Sequence, residues 1–474
     1  MTTVPAPVSA AVEALRQRPI PATDKGLGCL AAGGAVTGGA AAGGAVTAAS
    51  LGADRPSLFG PGVTMPQLVL RETAVRQNIE QMAAYCAAAG VELAPHGKTT
   101  MAPQLIARQL AAGAWGVTAA TIAQVRVYRA FGVPRVLLAS ELTDRAGIRW
   151  LAGELAADPG FDCYAYVDSL AGVELLDEEL RAFPAGRGPL PAGRRPLPVL
   201  VELGHAGGRT GCRGIDEALA VGKAVTATGT LRLAGAAGFE GGVAHDATAA
   251  ALEAITRFCG ELRMLGDLLA AAAPAAAAPA PAPAPAPAGP ILSAGGSAFF
   301  DVVIRELTAT RPDAAPGPAR PAGPGQAPTV ILRSGAYVTH DHGYYAGLAP
   351  GCQPGRTGPP LVAALELWAG VLSRPEPGLA ILGAGRRDVA SDRGMPVPLL
   401  VRRADGQTSL ATGMSVSKLD DQHAYVSVPA TGELAPGDLV GMGISHPCTT
   451  FDKWRVIPAV DDDYRVVDAI HTFF

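Results

Sequence analysis

From Gln67 onward the chain alternates short apolar runs with longer amphipathic segments, and no other feature restricts its possible folds as strongly. QLVL at Gln67 precedes ETAVRQNIEQMAAYCAAAG, VELAPHGK precedes APQLIARQLAAG, and WGVTAAT precedes IAQVRVYRAFG; RVLLAS, FDCYAYV and LPVLVELG follow in turn. Apolar runs of roughly four to six residues between helices of roughly ten to fifteen predict βαβ units and a parallel sheet. Repetition without a reversal signal favours a (β/α)8 barrel, although an open parallel sheet shares the same periodicity.

From Thr329 the texture changes. TVILRSGAYVTHD, PLVAALELWAGVLS, LAILGAG, PVPLLVRRADG, DDQHAYVSV, GDLVGMGIS and YRVVDAIHTFF read as short strands separated by Gly, Pro and Asp turns. Three units follow: an extension over residues 1–64 with a flexible Gly/Ala-rich insertion, a barrel over 65–328, and a β domain over 329–474. Within the barrel unit, Arg181 to Pro198, Ala270 to Pro290 and Arg311 to Pro328 are Pro/Ala/Gly-rich and read as insertions; the Ala-Pro run is expected to be polyproline-like and unable to pack a core. Between the last two lies an island, Ile291 to Thr310, expected to be ordered.

Charge and cysteine usage exclude several functions. The 38 Lys+Arg face 42 Asp+Glu, a formal charge of -4, so no global basic field is available to hold nucleic acid. Gly26 to Ala53 carries no charge, but it is mostly Gly, Ala and Thr and is too weakly apolar to be expected to cross a membrane. MTTVPAPVSAAVEALRQ lacks the basic cluster and apolar core of a secretory signal. The 7 cysteines form no CxxC pair and no even disulfide framework, which is expected of the reducing cytoplasm.

Four segments carry candidate chemistry. Ala94-Pro95-His96-Gly97-Lys98-Thr99-Thr100 sits at the C-terminal end of a predicted strand, the edge at which barrel active sites lie. A lysine desolvated there near other cations loses its proton readily and can condense with an aldehyde; an ordinary exposed lysine at a strand end is the competing reading. Lysine is otherwise scarce, with only Lys25, Lys223, Lys418 and Lys453 besides. Val201 to Cys212 (VELGHAGGRTGC) ends a strand in a Gly-rich turn bearing Arg209, whose guanidinium can donate to a phenolate or carboxylate. Ser293-Ala294-Gly295-Gly296-Ser297 offers free backbone N–H groups and a hydroxyl suited to a phosphate, or is simply a turn. His446-Pro447-Cys448 stands at the end of the predicted strand GDLVGMGIS; residues i and i+2 of a strand point to one face, so the pair is expected to converge on one spot and suit a soft or borderline cation such as zinc, a buried Cys beside an incidental His being the competing reading.

Together, in this order, these segments resemble the D-serine dehydratase and D-threonine aldolase family of alanine-racemase-like, fold type III pyridoxal phosphate enzymes. PHGKTTMAPQLIARQLAAGAWGVTAAT is similar to the family's cofactor-lysine segment, LRSGAYVTHD to the opening of its second domain, and HPCTTFDKWR to its metal segment. The resemblance implies a barrel plus a β domain, a homodimer, and pyridoxal 5'-phosphate held covalently on Lys98, with His96 beside it as a second catalytic residue. It further implies that Arg209 faces the cofactor's phenolic oxygen and that Gly295, Gly296 and Ser297 take its phosphate, with the backbone near Gly335 and the Tyr337 ring as weaker candidates. His446 and Cys448 would hold the metal, zinc being preferred by a thiolate and manganese the alternative.

Against the family's PHxKTHK the chain has Gly97 at the open position and departs at Thr100 and Met101, and the aromatic residue expected after the sixth strand is Phe239, which cannot donate a hydrogen bond, followed by Glu240. Glu240 is therefore expected to meet the pyridine nitrogen. His-x-Cys tilts the resemblance toward dehydration: a β-hydroxy D-amino acid such as D-serine would give a 2-oxo acid and ammonia. The alternatives are metal-dependent cleavage of D-threonine to glycine and acetaldehyde, and a pyridoxal phosphate carrier without catalysis. Of the other polar positions, His340 and His342 are expected to be solvent-facing tips, Asp461 to Asp463 a solvated turn, and His423 a possible partner of the substrate carboxylate.

Overall fold

The computed structural model describes residues 4–27, 45–182, 195–272, 289–309, 327–429 and 434–474. Most of the Gly/Ala stretch and of the three Pro-rich insertions therefore lies outside the described residues.

The extension contributes helices α1 (Ala6–Arg16) and α2 (Ala48–Asp54). At the latter, Thr47 and Ser50 form a reciprocal capping box that starts the helix within sequence expected to be a flexible insertion. Strand β1 (Gln67–Arg71) and helix α3 (Glu72–Ala88) follow. The barrel strands are β2 (Glu92–Leu93), β3 (Val117–Ala119), β4 (Arg135–Glu141), β5 (Asp162–Val167), β6 (Leu197–Leu203), β7 (Leu231–Gly238), β8 (Ile291–Ala294) and β9 (Thr329–Leu332). Between them run α4 (Pro103–Ala111), α5 (Ile122–Ala130), α6 (Arg145–Ala157), α7 (Leu170–Ala182), α8 (Ile215–Ala227), α9 (Ala249–Ala272) and α10 (Phe300–Thr308). Local chemistry sets the helix starts. Pro103 occupies the first turn of α4, Thr121 accepts from the Gln124 amide, and Asp144 accepts from the Ala146 and Gly147 amides.

All eight barrel strands pair in parallel, in the order β2-β9-β8-β7-β6-β5-β4-β3. The two ends of the sheet are joined where the Trp115 amide donates to Leu93 (2.8 Å) and the Thr118 amide to Pro95 (2.9 Å), which decides between the closed and open forms. Leu137, Tyr164, Tyr166, Leu200, Ala237 and Ile331 fill the interior, so the barrel is a packed core that opens only at its mouth.

The second domain is built from β10 (Leu365–Glu376), β11 (Leu379–Leu382), β12 (Val397–Arg402), β13 (Thr408–Leu410), β14 (Ser415–Leu419), β15 (Ala424–Ser427), β16 (Leu439–Gly443), a short helix α11 (Cys448–Phe451), β17 (Val456–Val460) and β18 (Val466–His471). Its main path runs β13-β12-β16-β10-β1-β17-β18. Two boundaries drawn from the sequence are corrected here. Strand β1, expected to open the barrel, pairs antiparallel with β10 and parallel with β17, putting Leu68 and Leu70 into the second domain's sheet. Strand β9, expected to open the β domain, is a barrel strand between β2 and β8. An apolar run signals burial but not which sheet buries it, which is why both edges were misplaced.

Candidate active site

A cavity of about 520 Å³ opens at the C-terminal ends of the barrel strands and is roofed by the segment between β16 and β17. It gathers His96, Lys98, Arg209, Glu240, Gly296, Ser297, His446 and Cys448 on its wall. Segments up to 350 residues apart in sequence thus meet at one spot, with Cys448 Sγ 3.4 Å from Thr99 Oγ1.

Lys98 lies in a short 3-10 turn, Gly97–Thr99, directly after β2. Burial lowers its proton affinity; the nearby Cys448 opposes this, while Arg209 and Arg333 add to it. An amine in these surroundings is closer to being a neutral nucleophile and base than an exposed lysine is. His96 is held well below the ordinary histidine range by burial and by the Lys98, Arg333 and Arg209 charges, so its ring is neutral. Among the described residues its buried Nδ1 has no hydrogen-bond partner, and neither does the buried Nε of Arg333.

His446 and Cys448 converge, but not as strand neighbours. β16 ends at Gly443, and a bend through Pro447 delivers Cys448 as the first residue of α11. His446 Nδ1 is 2.7 Å from Asp392 Oδ2, and Thr449 donates from Oγ1 to Asp392 Oδ1 at 2.7 Å. Burial alone would lower the His446 pKa, but hydrogen bonding and charge from Cys448 and Asp392 raise it to about 8. With Nδ1 engaged, Nε2 is the ring nitrogen left for a metal, and an imidazole beside a thiol is a donor pair that zinc accepts.

The Gly-rich turn after β8 differs from expectation. Glu240 is fully buried, and its two carboxylate oxygens accept from the Gly295 amide (3.0 Å) and the Gly296 amide (2.6 Å). Here the residue expected at the pyridine nitrogen occupies the amides expected to hold the phosphate, and Gly295, at φ +95°, does not line the cavity. The turn is nonetheless an anion site, since it holds a carboxylate on backbone donors. Ser297 accepts from the Ala336 amide at 3.1 Å on the cavity wall. The Arg209 guanidinium stacks on Phe239 at 4.9 Å. Tyr337 is displaced from its expected place: its hydroxyl accepts from Gln109 Nε2 at 3.0 Å, and it lines a separate cavity between α3 and α4. In the 3-10 turn Ala336–Val338 its ring is directed into the core.

Several groups on the wall or just behind it had no sequence signal of their own. Asp392, which touches His446 rather than the cavity, sits in a Gly/Pro loop, and the wall residues Tyr344, Tyr345 and Arg393 come from similar turns. Glu202 stood within a quoted segment but without a partner; Glu141, Asp168 and Glu202 come from three successive strand ends and bring oxygens within 4.8 Å of one another. Burial and the facing Glu202 push Glu141 up to about 8, so it keeps a proton at neutral pH that it can donate to Glu202. Only the folded barrel shows this grouping. His340 and His342, expected as solvated tips, are largely enclosed: burial pushes His340 down to about 4, and His342 packs against Gly443. His423 is exposed and lines no part of the cavity, whereas Asp461 caps the β17–β18 turn by accepting from the Asp463 and Arg465 amides.

These residues fit pyridoxal phosphate and a zinc ion. An amine of lowered proton affinity, Arg209, Ser297 and Gly296 of the anion-holding turn line one cavity, and a His-Cys donor pair lines it beside them.

Comparison with known proteins points the same way. Residues 364–460 match the serine dehydratase domain family. A D-threonine aldolase of Arthrobacter sp is 24% identical over 406 residues, covering 84% of this chain and 90% of that protein. Among solved structures, D-threo-3-hydroxyaspartate dehydratase from Delftia sp. HT23 is 20% identical, with TM-score 0.61 over 86% of this chain and 97% of its own. An alanine-racemase-like protein from Idiomarina loihiensis is 15% identical, with TM-score 0.64 over 86% of this chain and 96% of its own. The fold is therefore alanine-racemase-like, and the family resemblance read from the sequence is the one that the comparisons return.

Proposed function

We propose that this protein is a pyridoxal phosphate- and zinc-dependent lyase that dehydrates a β-hydroxy D-amino acid to a 2-oxo acid and ammonia. The observation that carries the reading is the meeting of Lys98 with the His446–Cys448 pair in one cavity at the barrel mouth. The similarity to a D-threonine aldolase and the match to a serine dehydratase domain support the class of chemistry. That a D-threo-3-hydroxyaspartate dehydratase has been solved in a metal-free form supports a role for a metal. A dimer in the cytoplasm is part of the proposal.

When bound, pyridoxal phosphate takes up the electron pair left on Cα, and zinc weakens the bond from the β-carbon to its hydroxyl. Lys98 would hold the cofactor and, once freed by the incoming amine, take the Cα proton on Nζ; burial beside Arg209 and Arg333 favours the neutral amine this requires. Neutral His96 adds no second positive charge next to Lys98. Asp392 holds His446 through Nδ1, which leaves Nε2 for the metal, and Cys448 would complete the donor pair. Ser297 and the Gly296 amide would hold the phosphate after Glu240 yields that amide. Phe239 and Tyr345 add apolar ring surface to the wall between these groups.

Reconstitution with pyridoxal phosphate and zinc, followed by incubation with D-serine, should yield 2-oxo acid and ammonia in equal amounts, and chelation should abolish both. Cleavage of D-threonine to glycine and acetaldehyde is the second reading, favoured by the aldolase relative; glycine exceeding oxo acid from matched incubations would establish it instead. Absence of a pyridoxyl adduct on Lys98 after borohydride treatment would overturn both.

A further inference from the structure

We infer that Arg393 receives a carboxylate carried on the β-carbon of the substrate, so that the preferred substrate is a β-hydroxy D-amino dicarboxylate, of which 3-hydroxy-D-aspartate is the simplest. This rests on the lyase reading and specifies its substrate.

The cavity holds three other cationic side chains besides histidine, and each already has a use. Lys98 is the amine, and Arg209 stacks on Phe239 beside it. Arg333 is buried, donating to Ser293 Oγ at 2.7 Å and to the Gly238 carbonyl at 2.6 Å. Arg393 stands apart. Its guanidinium stacks on the Tyr344 ring at 4.9 Å, it is exposed to the cavity, and among the described residues no carboxylate pairs with it. Other arginines of the fold are matched to carboxylates, as Arg129 is to Glu154 and Asp158 and Arg356 to Asp301, or are occupied by carbonyls, as Arg213 is by Thr210 and Gly211. The two acidic side chains on the cavity wall are not available to Arg393. Glu240 is bound by two amides, and Glu202 faces Glu141 on the far strands.

Position decides which carboxylate it would take. Arg393 follows Asp392, whose carboxylate holds His446, and Tyr344 adjoins Tyr345, whose ring is 6.5 Å from His446. Arg393 therefore belongs to the metal side of the cavity rather than the Lys98 side. A β-hydroxyl carried to the His446–Cys448 pair brings the other substituent of the β-carbon to the same side. A hydrogen there (serine) or a methyl (threonine) leaves the guanidinium nothing to bind, whereas a carboxylate matches its two-pronged donor face. Stacking on Tyr344 holds that face in a fixed plane.

The experiment uses the full-length protein reconstituted with pyridoxal phosphate and zinc, as wild type, R393Q and R393K. Wild type should act more efficiently on 3-hydroxy-D-aspartate than on D-serine, and in R393Q the ratio of the two kcat/KM values should fall about 100-fold, mostly through KM. R393K, which keeps the charge but not the fork, should recover part of the ratio. Calorimetric titration gives a readout that needs no turnover: D-aspartate should bind wild type at least about tenfold more tightly than D-alanine, and R393Q should erase the difference. Equal losses on both substrates, or no preference for D-aspartate in the wild type, would overturn the inference while leaving the lyase reading intact. A D-aspartate preference that R393Q erases, in a protein inactive on every β-hydroxy D-amino acid, would support the dicarboxylate site and overturn the lyase reading.

Discussion

Lys98 is set apart by what surrounds it rather than by what it is. Burial and two guanidiniums depress its proton affinity, and the lysine alone can both bind an aldehyde and shed a proton there. Lys98→Ala should lower turnover by at least about 1000-fold and abolish the borohydride-fixed pyridoxyl adduct, and Lys98→Arg should restore neither, since a guanidinium does not deprotonate. Mapping the adduct by peptide mass would refute the assignment if it landed on another lysine. Asp392→Asn retains the side-chain shape but removes the acceptor charge from His446 Nδ1; zinc affinity should drop about 10- to 100-fold in chelator competition, and an unchanged affinity would show that the contact does not orient the ligand. Glu141 acts on stability. Its pKa rises from the usual 4.5 to about 8, so between those values the unfolded chain ionises while the folded one keeps its proton, and stability declines as pH rises through that window. Glu141→Gln should flatten the decline in denaturant titrations between about pH 5 and 8; an unaltered slope would mean the proton resides elsewhere. Lys98, His446 and Cys448 were legible because each combines a reactive residue type with a telling local setting. Asp392, Glu141 and Arg393 were not, because an acid or an arginine in a loop acquires meaning only from a partner brought in by the fold.

At the scale of elements, the helices were readable because capping and periodicity are local: Thr121 and Asp144 announce α5 and α6 within three residues. Strand membership is not local, and QLVL fits either sheet by composition. The β6–β7 pairing shows how one residue can set a register. Leu200 pairs with Gly235 immediately after Val199 pairs with Leu233, so β7 carries an extra residue there. Gly235 adopts φ +144°, and a methyl group at its Cα would run into the Ile291 carbonyl of β8. Gly235→Ala should therefore cost about 3 kcal/mol or more, from strain added to a backbone clash. Urea unfolding measures it, and a cost below about 1 kcal/mol would mean that the barrel relaxes around the bulge.

The whole molecule is threaded so that the second domain is not a continuous piece of sequence: the barrel is inserted between its first strand and the rest. The chain enters the second domain's sheet as β1, crosses to build the barrel from β2 to β9, and returns from β10 onward. The extension is bound to the same sheet: α2 packs on β18, with Gly52 against the Val467 backbone, and Lys25 pairs with Asp388 at 2.9 Å while lying over Trp454. The candidate site spans the two domains, so Lys98 and Cys448 share a cavity only when both are complete. A cut at the compositional boundary would damage both halves. A 329–474 fragment loses β1, leaving β10 and β17 with unpaired backbone edges in the middle of their sheet, and a 65–328 fragment loses β9, leaving the facing edges of β2 and β8 unpaired in the barrel wall. Both fragments, expressed separately, should show little protected amide hydrogen and aggregate, whereas the intact chain should unfold with near-coincident loss of barrel and β-domain protection. Strong protection in the isolated 329–474 fragment would show that β1 is dispensable, and that the bond between the domains lies in the site rather than in the threading.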